Sequence, residues 1–185
     1  MAGPTGISYE LIKKSDISLL GYILKLFNKI LIENKIPSDW KKANIYPIPK
    51  PKPWGYNLNN TRPITLLETM RKLLGKILNK RLSKILKENN VLKGNQFAGL
   101  KGSSTFQPLR IINELLQDAN ENNKNLWLMA LDMSKAYDRV NIYMLELAMQ
   151  RIKIPDPFIR IIKEYFTGRT NQVFTAVACR FNRSL

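Results

Sequence analysis

Apolar positions recur at helical spacing from Tyr9 to Asn34, where Ile23, Phe27, Ile30 and Leu31 stand at i, i+4, i+7 and i+8 and predict one inward stripe. Ser15 and Asp16 are each placed to interrupt that pattern and open a second helix. Lys25, Lys29 and Lys35 supply the polar side. Ile36-Pro37-Ser38-Asp39-Trp40 then punctuates the chain. Ala43 to Ile48 reads as a short strand, which Pro47 and Pro49 confine to a sheet edge or to its own end. Lys50 to Arg62, rich in Pro, Gly and Asn, reads as a flexible loop.

Thr65-Leu66-Leu67-Glu68 matches a capping box and predicts the start of a long helix. Leu67, Met70, Leu74, Ile77, Leu78, Leu82 and Ile85 hold one face of it, while Lys72, Lys76, Lys80, Lys84 and Lys87 line another. Two readings of the basic stripe stand side by side: a solvated helix face, or a rail that tracks nucleic-acid phosphates. Gly94 to Ser104 is loop-like, and Ser104-Thr105-Phe106-Gln107 offers a second capping box. The helix it opens turns Leu109, Ile112, Leu115, Leu116 and Ala119 inward. After the polar run Asn120 to Asn125, the six residues Leu126-Trp127-Leu128-Met129-Ala130-Leu131 fit a strand buried on both faces. Helical patterns return near Tyr143 to Arg151 and from Asp156 to Phe166, the second with Phe158, Ile161, Ile162 and Tyr165. Helices lead and strands are few. The order argues an α+β fold, helix-rich with a small sheet, rather than a doubly wound one.

Composition narrows the chemistry. With 185 residues, 44% of them hydrophobic and 24% charged, the chain suits about one globular domain and not a disordered segment. Thirty Lys and Arg against 14 Asp and Glu give a formal charge of +16, an excess that suits a polyanionic partner. Histidine is absent and Cys179 is the only cysteine, which excludes His-based triads, His-ligated metalloprotease sites and Cys/His zinc sites. Intrachain disulfides are excluded too, so a reducing compartment is compatible. Any metal must be held by oxygen ligands, as Mg²⁺ is. The first residues lack the basic and apolar regions of a signal peptide. The longest apolar run falls far short of the ~20 residues that cross a bilayer, so no membrane partner is expected. Lys41-Lys42 is too short a basic cluster to mark nuclear import.

Asp132, closing the apolar run, is the first candidate for chemistry. A carboxylate at the end of a buried strand is costly unless it is paired or bound to metal. It could instead cap a helix beginning near Met133, with Lys135 as its local partner. Asp138 follows six residues later, past Ser134-Lys135-Ala136-Tyr137.

The segment Leu131-Asp132-Met133-Ser134-Lys135-Ala136-Tyr137-Asp138-Arg139-Val140 closely resembles the first catalytic motif of reverse transcriptases of the non-LTR retrotransposon type. Four other segments resemble that family in the same order. They are Gly3-Pro4-Thr5-Gly6-Ile7, Trp40 to Lys50, Asn60-Thr61-Arg62-Pro63-Ile64-Thr65-Leu66-Leu67, and Gln96-Phe97-Ala98-Gly99-Leu100 with Gly102-Ser103-Ser104-Thr105. The resemblance implies the fingers and start of the palm of a right-hand polymerase, with an incomplete antiparallel sheet. It divides the chain into an N-terminal helical extension at 1–40, a fingers-like region at 41–125 and a partial palm at 126–185.

The same resemblance implies roles. Asp132 would bind catalytic Mg²⁺ ions, and Tyr137 would stack under the incoming sugar and exclude a 2′-hydroxyl. The backbone amides of Met133, Ser134, Lys135 and Ala136 would face the triphosphate. Arg62 would grip that triphosphate as a bidentate partner, with Lys50 as the accompanying lysine and Lys52 as a rival for that role. Lys72, Lys76, Lys80 and Lys84 would follow the nucleic-acid backbone. RNA template, DNA primer and dNTP are the implied partners. Against these stand plainer readings, with Tyr137 as core and Arg62 as a surface residue placed by Pro63.

Departures from the family's pattern matter as much. Two-metal nucleotidyl transfer needs a second carboxylate cluster, which the family supplies as an aspartate doublet preceded by a Gln-Gly motif. Neither dipeptide occurs here, and after Asp138 the acids are Glu146, Asp156 and Glu164, all in helical patterns. From about Ala176 the chain stops resembling the family. The expectation is a truncated reverse-transcriptase domain, inactive alone. The alternatives are a basic nucleic-acid-binding remnant and a product that does not fold stably.

Overall fold

The computed structural model describes residues 3–51, 53, 55, 57–91, 97, 98, 102 and 104–174. Gln96, Gly99, Leu100 and Ser103 of the fourth family-like segment, Lys52, and the stretch from Ala176 lie outside the described residues. The chain forms two compact units, Met1–Lys76 with Ile142–Leu185, and Ile77–Asn141.

The first unit opens with helix α1 (Tyr9–Lys13) and helix α2 (Ile17–Glu33). Asp16 makes the break expected of it, its side chain accepting from the Leu19 amide at 3.0 Å. Asn34 ends α2 in the left-handed conformation. Of the predicted stripe, Phe27 and Ile30 are buried, and Phe27 meets the ring of Trp40 edge-on at 6.2 Å. Strand β1 (Lys42–Pro49) pairs antiparallel with β2 (Thr61–Leu67) and parallel with β3 (Thr170–Val173). Helices α5 (Ile142–Arg151) and α6 (Asp156–Phe166) precede β3 and bury Met149, Ile159 and Ile161.

Three sequence expectations change here. The sheet is mixed, in the order β2-β1-β3, and not antiparallel. Parallel pairing needs a long connection, which the chain between β1 and β3 provides. β1 is central, and of the two placements expected for its prolines the second holds: Pro47 and Pro49 lie at the strand's end, beyond Lys42 to Ile45, which pair with β3. Thr61 and Arg62 belong to β2 and not to a loop, and Thr65 to Leu67 extend that strand where a helix start was expected.

Helix α3 (Thr69–Glu88) therefore begins one residue after Glu68. Met70 and Leu74 are buried in the first unit, with Arg71 between them. Arg71 is the residue of this face that the apolar pattern passes over, although Arg71, Leu74 and Leu78 stand at i, i+3 and i+7. Its guanidinium donates to the backbone oxygens of Trp40 and Tyr165, tying α3 to the turn before β1 and to α6. Burial, and then the Arg169 cation, hold Arg71 below the usual arginine range.

The second unit contains the rest of α3, helix α4 (Phe106–Glu121) and the segment 122–141. Leu78 is its one buried side chain among the described residues. The residue that precedes α4 is Thr105 and not the box's Ser104, and it makes no side-chain cap, so the helix starts one residue later than the second capping box predicts. Leu109, Ile112, Leu115 and Leu116, expected inside, are exposed. The expected strand 126–131 has no regular structure and is open to solvent, with Trp127 92% and Leu131 88% exposed. A strand is completed by hydrogen bonds to a neighbouring strand, and none pairs with this run among the described residues.

Candidate functional site

Asp132 lies in this open segment, not at the end of a buried strand, and its side chain is exposed. It lines a cavity of about 310 Å³ with Leu131, Met133, Ser134 and Arg139. The chain turns just beyond it. Lys135 adopts a left-handed backbone (φ 52°), and its carbonyl accepts from the amides of Asp138 at 3.0 Å and Arg139 at 3.2 Å. That turn leaves Met133, Ser134 and Ala136 exposed and puts the Tyr137 ring in solvent at 96% exposure. Tyr137 as core is thereby corrected, for no described residue covers its ring. Helix capping by Asp132 is corrected as well, because no helix starts at Met133.

Arg62 and Lys50 come together at one end of the β1–β2 pair, where Arg62 stands opposite Ile48 in the register. The Lys50 amide donates to the Asn60 carbonyl at 2.8 Å, and its ammonium donates to the Asn59 carbonyl at 2.9 Å. Lys50 is thus partly engaged in closing the loop, whereas Arg62 projects from the strand exposed. The basic stripe of α3 divides by partner. Lys84 pairs with Glu88 at 3.7 Å and Lys80 is exposed. Lys72 and Lys76 rest against the ring of Tyr9, at 5.4 and 4.9 Å from its centroid.

Glu68 has a role that its spacing did not suggest. It is fully buried, accepting from the Thr5 amide at 3.1 Å, the Thr5 hydroxyl at 2.7 Å and the Thr69 amide at 3.0 Å. The Thr69 hydroxyl in turn donates to the Ile7 carbonyl at 2.6 Å. Gly3-Pro4-Thr5-Gly6 makes a turn, closed by the Gly6 amide on the Gly3 carbonyl at 3.0 Å, with Gly6 at φ 78°. A β-carbon on Gly3 would lie 2.6 Å from the Glu68 Cα, so only glycine fits that approach. The first family-like segment is therefore bolted to the start of α3. No local pattern could reveal a contact between residues 63 apart.

Residues 48–182 match the model of the reverse transcriptase (RNA-dependent DNA polymerase) family. The chain belongs to that family. Reverse transcriptases of mobile elements are among its relatives. It is 27% identical over 158 residues to a probable RNA-directed DNA polymerase from transposon BS of Drosophila melanogaster, covering 85% of this chain and 17% of that protein. Identity is 28% over 148 residues to a probable RNA-directed DNA polymerase from transposon X-element of the same fly, covering 80% and 16%. It is also 28% over 152 residues to the retrovirus-related Pol polyprotein from type-1 retrotransposable element R2 of Popillia japonica, covering 80% and 19%. The chain spans about a sixth of the length of such relatives.

Reverse transcriptases imply a divalent metal, and the donor set near Asp132 does not fit a two-metal centre. No three His, Cys, Asp or Glu groups converge among the described residues. Glu164 is committed to Lys41 at 2.7 Å, and Glu146 to Lys163 at 2.7 Å. The charged neighbour lining Asp132's cavity is Arg139, a cation. No helix among the described residues is long and apolar enough to cross a membrane.

Proposed function

We propose that this chain supplies the nucleotide-gripping part of a retroelement reverse transcriptase. Residues 41–125 serve as fingers and 126–185 as the start of the palm, behind an N-terminal helical extension at 1–40. The observation that carries the reading is a family match over residues 48–182, a span that includes Arg62, Asp132 and Tyr137. In this reading Arg62, with Lys50, binds the triphosphate of an incoming dNTP through charge-assisted hydrogen bonds. By the family likeness, the amides from Met133 to Ala136 would face a dNTP's phosphates, and Tyr137 would receive its sugar. Asp132 would be one carboxylate toward a divalent ion, Mg²⁺ in our reading, and no others are grouped with it among the described residues.

RNA template and DNA primer are the proposed nucleic-acid partners, and the +16 charge supports them. With one carboxylate in place, the 185-residue chain does not polymerise by itself. Two measurements test the proposal. Binding of a fluorescent dNTP should weaken roughly tenfold or more in Arg62→Ala, the usual scale for a hydrogen bond to a charged group. Equal affinity in that variant sinks the triphosphate assignment. In a primer-extension assay with RNA template, dNTP and Mg²⁺, incorporation by the wild-type chain should not exceed that of Asp132→Ala. A clear excess refutes the claim of inactivity.

A second reading is favoured by the lysines of α3: a basic module that binds RNA or DNA without catalysis. It predicts salt-sensitive binding that drops when Lys76, Lys80 and Lys84 are changed to Glu. Affinity indifferent to ionic strength excludes it.

A further inference from the structure

A carboxylate and an aromatic ring can each order a lysine, but only the carboxylate cancels its charge. Lys41, Lys84 and Lys163 are held by glutamates. Lys72 and Lys76 are held differently. Both ammonium groups sit against the Tyr9 ring, and neither has an acidic partner among the described residues. Glu68, one turn before Lys72, is buried and hydrogen-bonded on both oxygens by Thr5 and Thr69. The ring itself is anchored, because Tyr9 begins α1 directly after the segment that Glu68 and Thr69 bind. Its hydroxyl is buried without a hydrogen-bond partner among the described residues, and its ring is the part that faces the two cations.

Two ammonium groups one turn apart repel each other. Gathering them at one ring without an acid concentrates positive potential at that spot, and an anion bridging both relieves it. Side-chain freedom already lost against the ring lowers the ordering cost at binding, which otherwise weakens affinity about twofold to tenfold per long side chain. We infer that Tyr9 is a positioning residue that holds Lys72 and Lys76 as a two-ammonium clamp for one phosphate of a nucleic-acid strand. The inference rests on the nucleic-acid-binding reading above and adds a specific phosphate subsite to it.

The test uses the full chain and a labelled oligouridylate, with affinity measured by fluorescence anisotropy across a salt series. Tyr9→Leu should weaken binding roughly threefold to tenfold, while Tyr9→Phe, which keeps the ring, stays within about twofold of wild type. Lys72→Gln with Lys76→Gln should lower the slope of log affinity against log salt by about 0.7, the value for one phosphate on a single strand. A fall of about 1.4 means two separate phosphates and overturns the clamp, as does wild-type affinity in Tyr9→Leu. Should Tyr9→Leu fail to fold, the wild-type NMR spectrum decides the ring's part. Upfield-shifted Cε protons of Lys72 and Lys76 support it, and ordinary shifts refute it. Should the wild type not bind the oligonucleotide, the nucleic-acid reading fails, and inorganic phosphate then tests the clamp alone. Phosphate that raises the unfolding temperature of wild type but not of the double variant upholds the site. No such difference overturns it.

Discussion

Glu68 and Asp132 each close a run of apolar residues, and the protein treats them in opposite ways. Glu68 is fully buried, with three hydrogen-bond donors on its carboxylate and a β-turn folded against it. Asp132 stands in the open, beside an arginine, on a segment that no strand pairs with among the described residues. A buried carboxylate whose two oxygens are both hydrogen-bonded holds the fold together and has little left to offer a ligand. An exposed one contributes little to stability and keeps its oxygens available. The position of an acid after an apolar run therefore says nothing about its task; the donors around it do.

The largest effect that can break this contrast is expected from Glu68→Ala. Three donors lose a charged acceptor in a buried corner, and each such bond is worth roughly 1.5–3 kcal/mol. Partial recovery by water leaves a predicted loss of about 3–5 kcal/mol, read as a lower midpoint in chemical denaturation. A loss below about 1 kcal/mol would place Glu68 in the same class as Asp132. Gly3→Ala attacks the same corner from its other side. The new β-carbon meets the backbone of Leu67 and Glu68 at 2.6 Å, so the turn must shift, at about 1–3 kcal/mol. Unchanged stability would show that the turn is not seated on Glu68.

The sequence carries the helices of the first unit well, because each is defined by its own residues. Asp16 caps α2 as its position requires, and α6 spans the residues its apolar spacing predicts. What the sequence conceals is everything set by distant partners. Thr65-Leu66-Leu67-Glu68 satisfies the local rule for a helix start, yet pairing of β2 with β1 draws Thr65 to Leu67 into the sheet. Glu68 is left to be claimed by Thr5. The run from Leu126 to Leu131 has the composition of a buried strand, and composition cannot supply the neighbour that a strand needs. The candidate residues were legible for another reason. Asp132 stood out first as an acid closing an apolar run, a premise its exposure overturns. It stood out again, like Tyr137 and Arg62, through ordered likeness to a family, which does not depend on burial. Tyr9 and Arg71 escaped because their partners lie on other elements.

Tyr165 sharpens the description of the first unit through pH. Burial pushes its hydroxyl up to about 12, against the pull of the Arg71 cation, which favours the ionised form. Unfolded, a tyrosine ionises near 10. A group raised on folding contributes stability that is fully present below its unfolded value and lost as pH rises through its folded one. Stability should therefore decline between pH 10 and about 12, and Tyr165→Phe should decline less steeply across that window. Parallel curves for the two proteins would mean that Tyr165 is not buried against Arg71.

The smallest effects are expected in the open segment, and their smallness is the point. Asp132→Ala removes a side chain with no hydrogen bond or ion pair among the described residues, and should change unfolding free energy by no more than about 0.5 kcal/mol. Trp127→Ser and Leu131→Ser remove exposed apolar surface rather than core, so they should be as mild. Such side chains, open and adjacent, favour association between molecules. The two serine variants should accordingly reduce self-association in sedimentation experiments, while Asp132→Ala leaves it unchanged. If Asp132→Ala instead costs as much as Glu68→Ala, the carboxylate is a structural group. The contrast between an engaged acid and an available one then disappears, and with it the reason to look for nucleotide chemistry at Asp132.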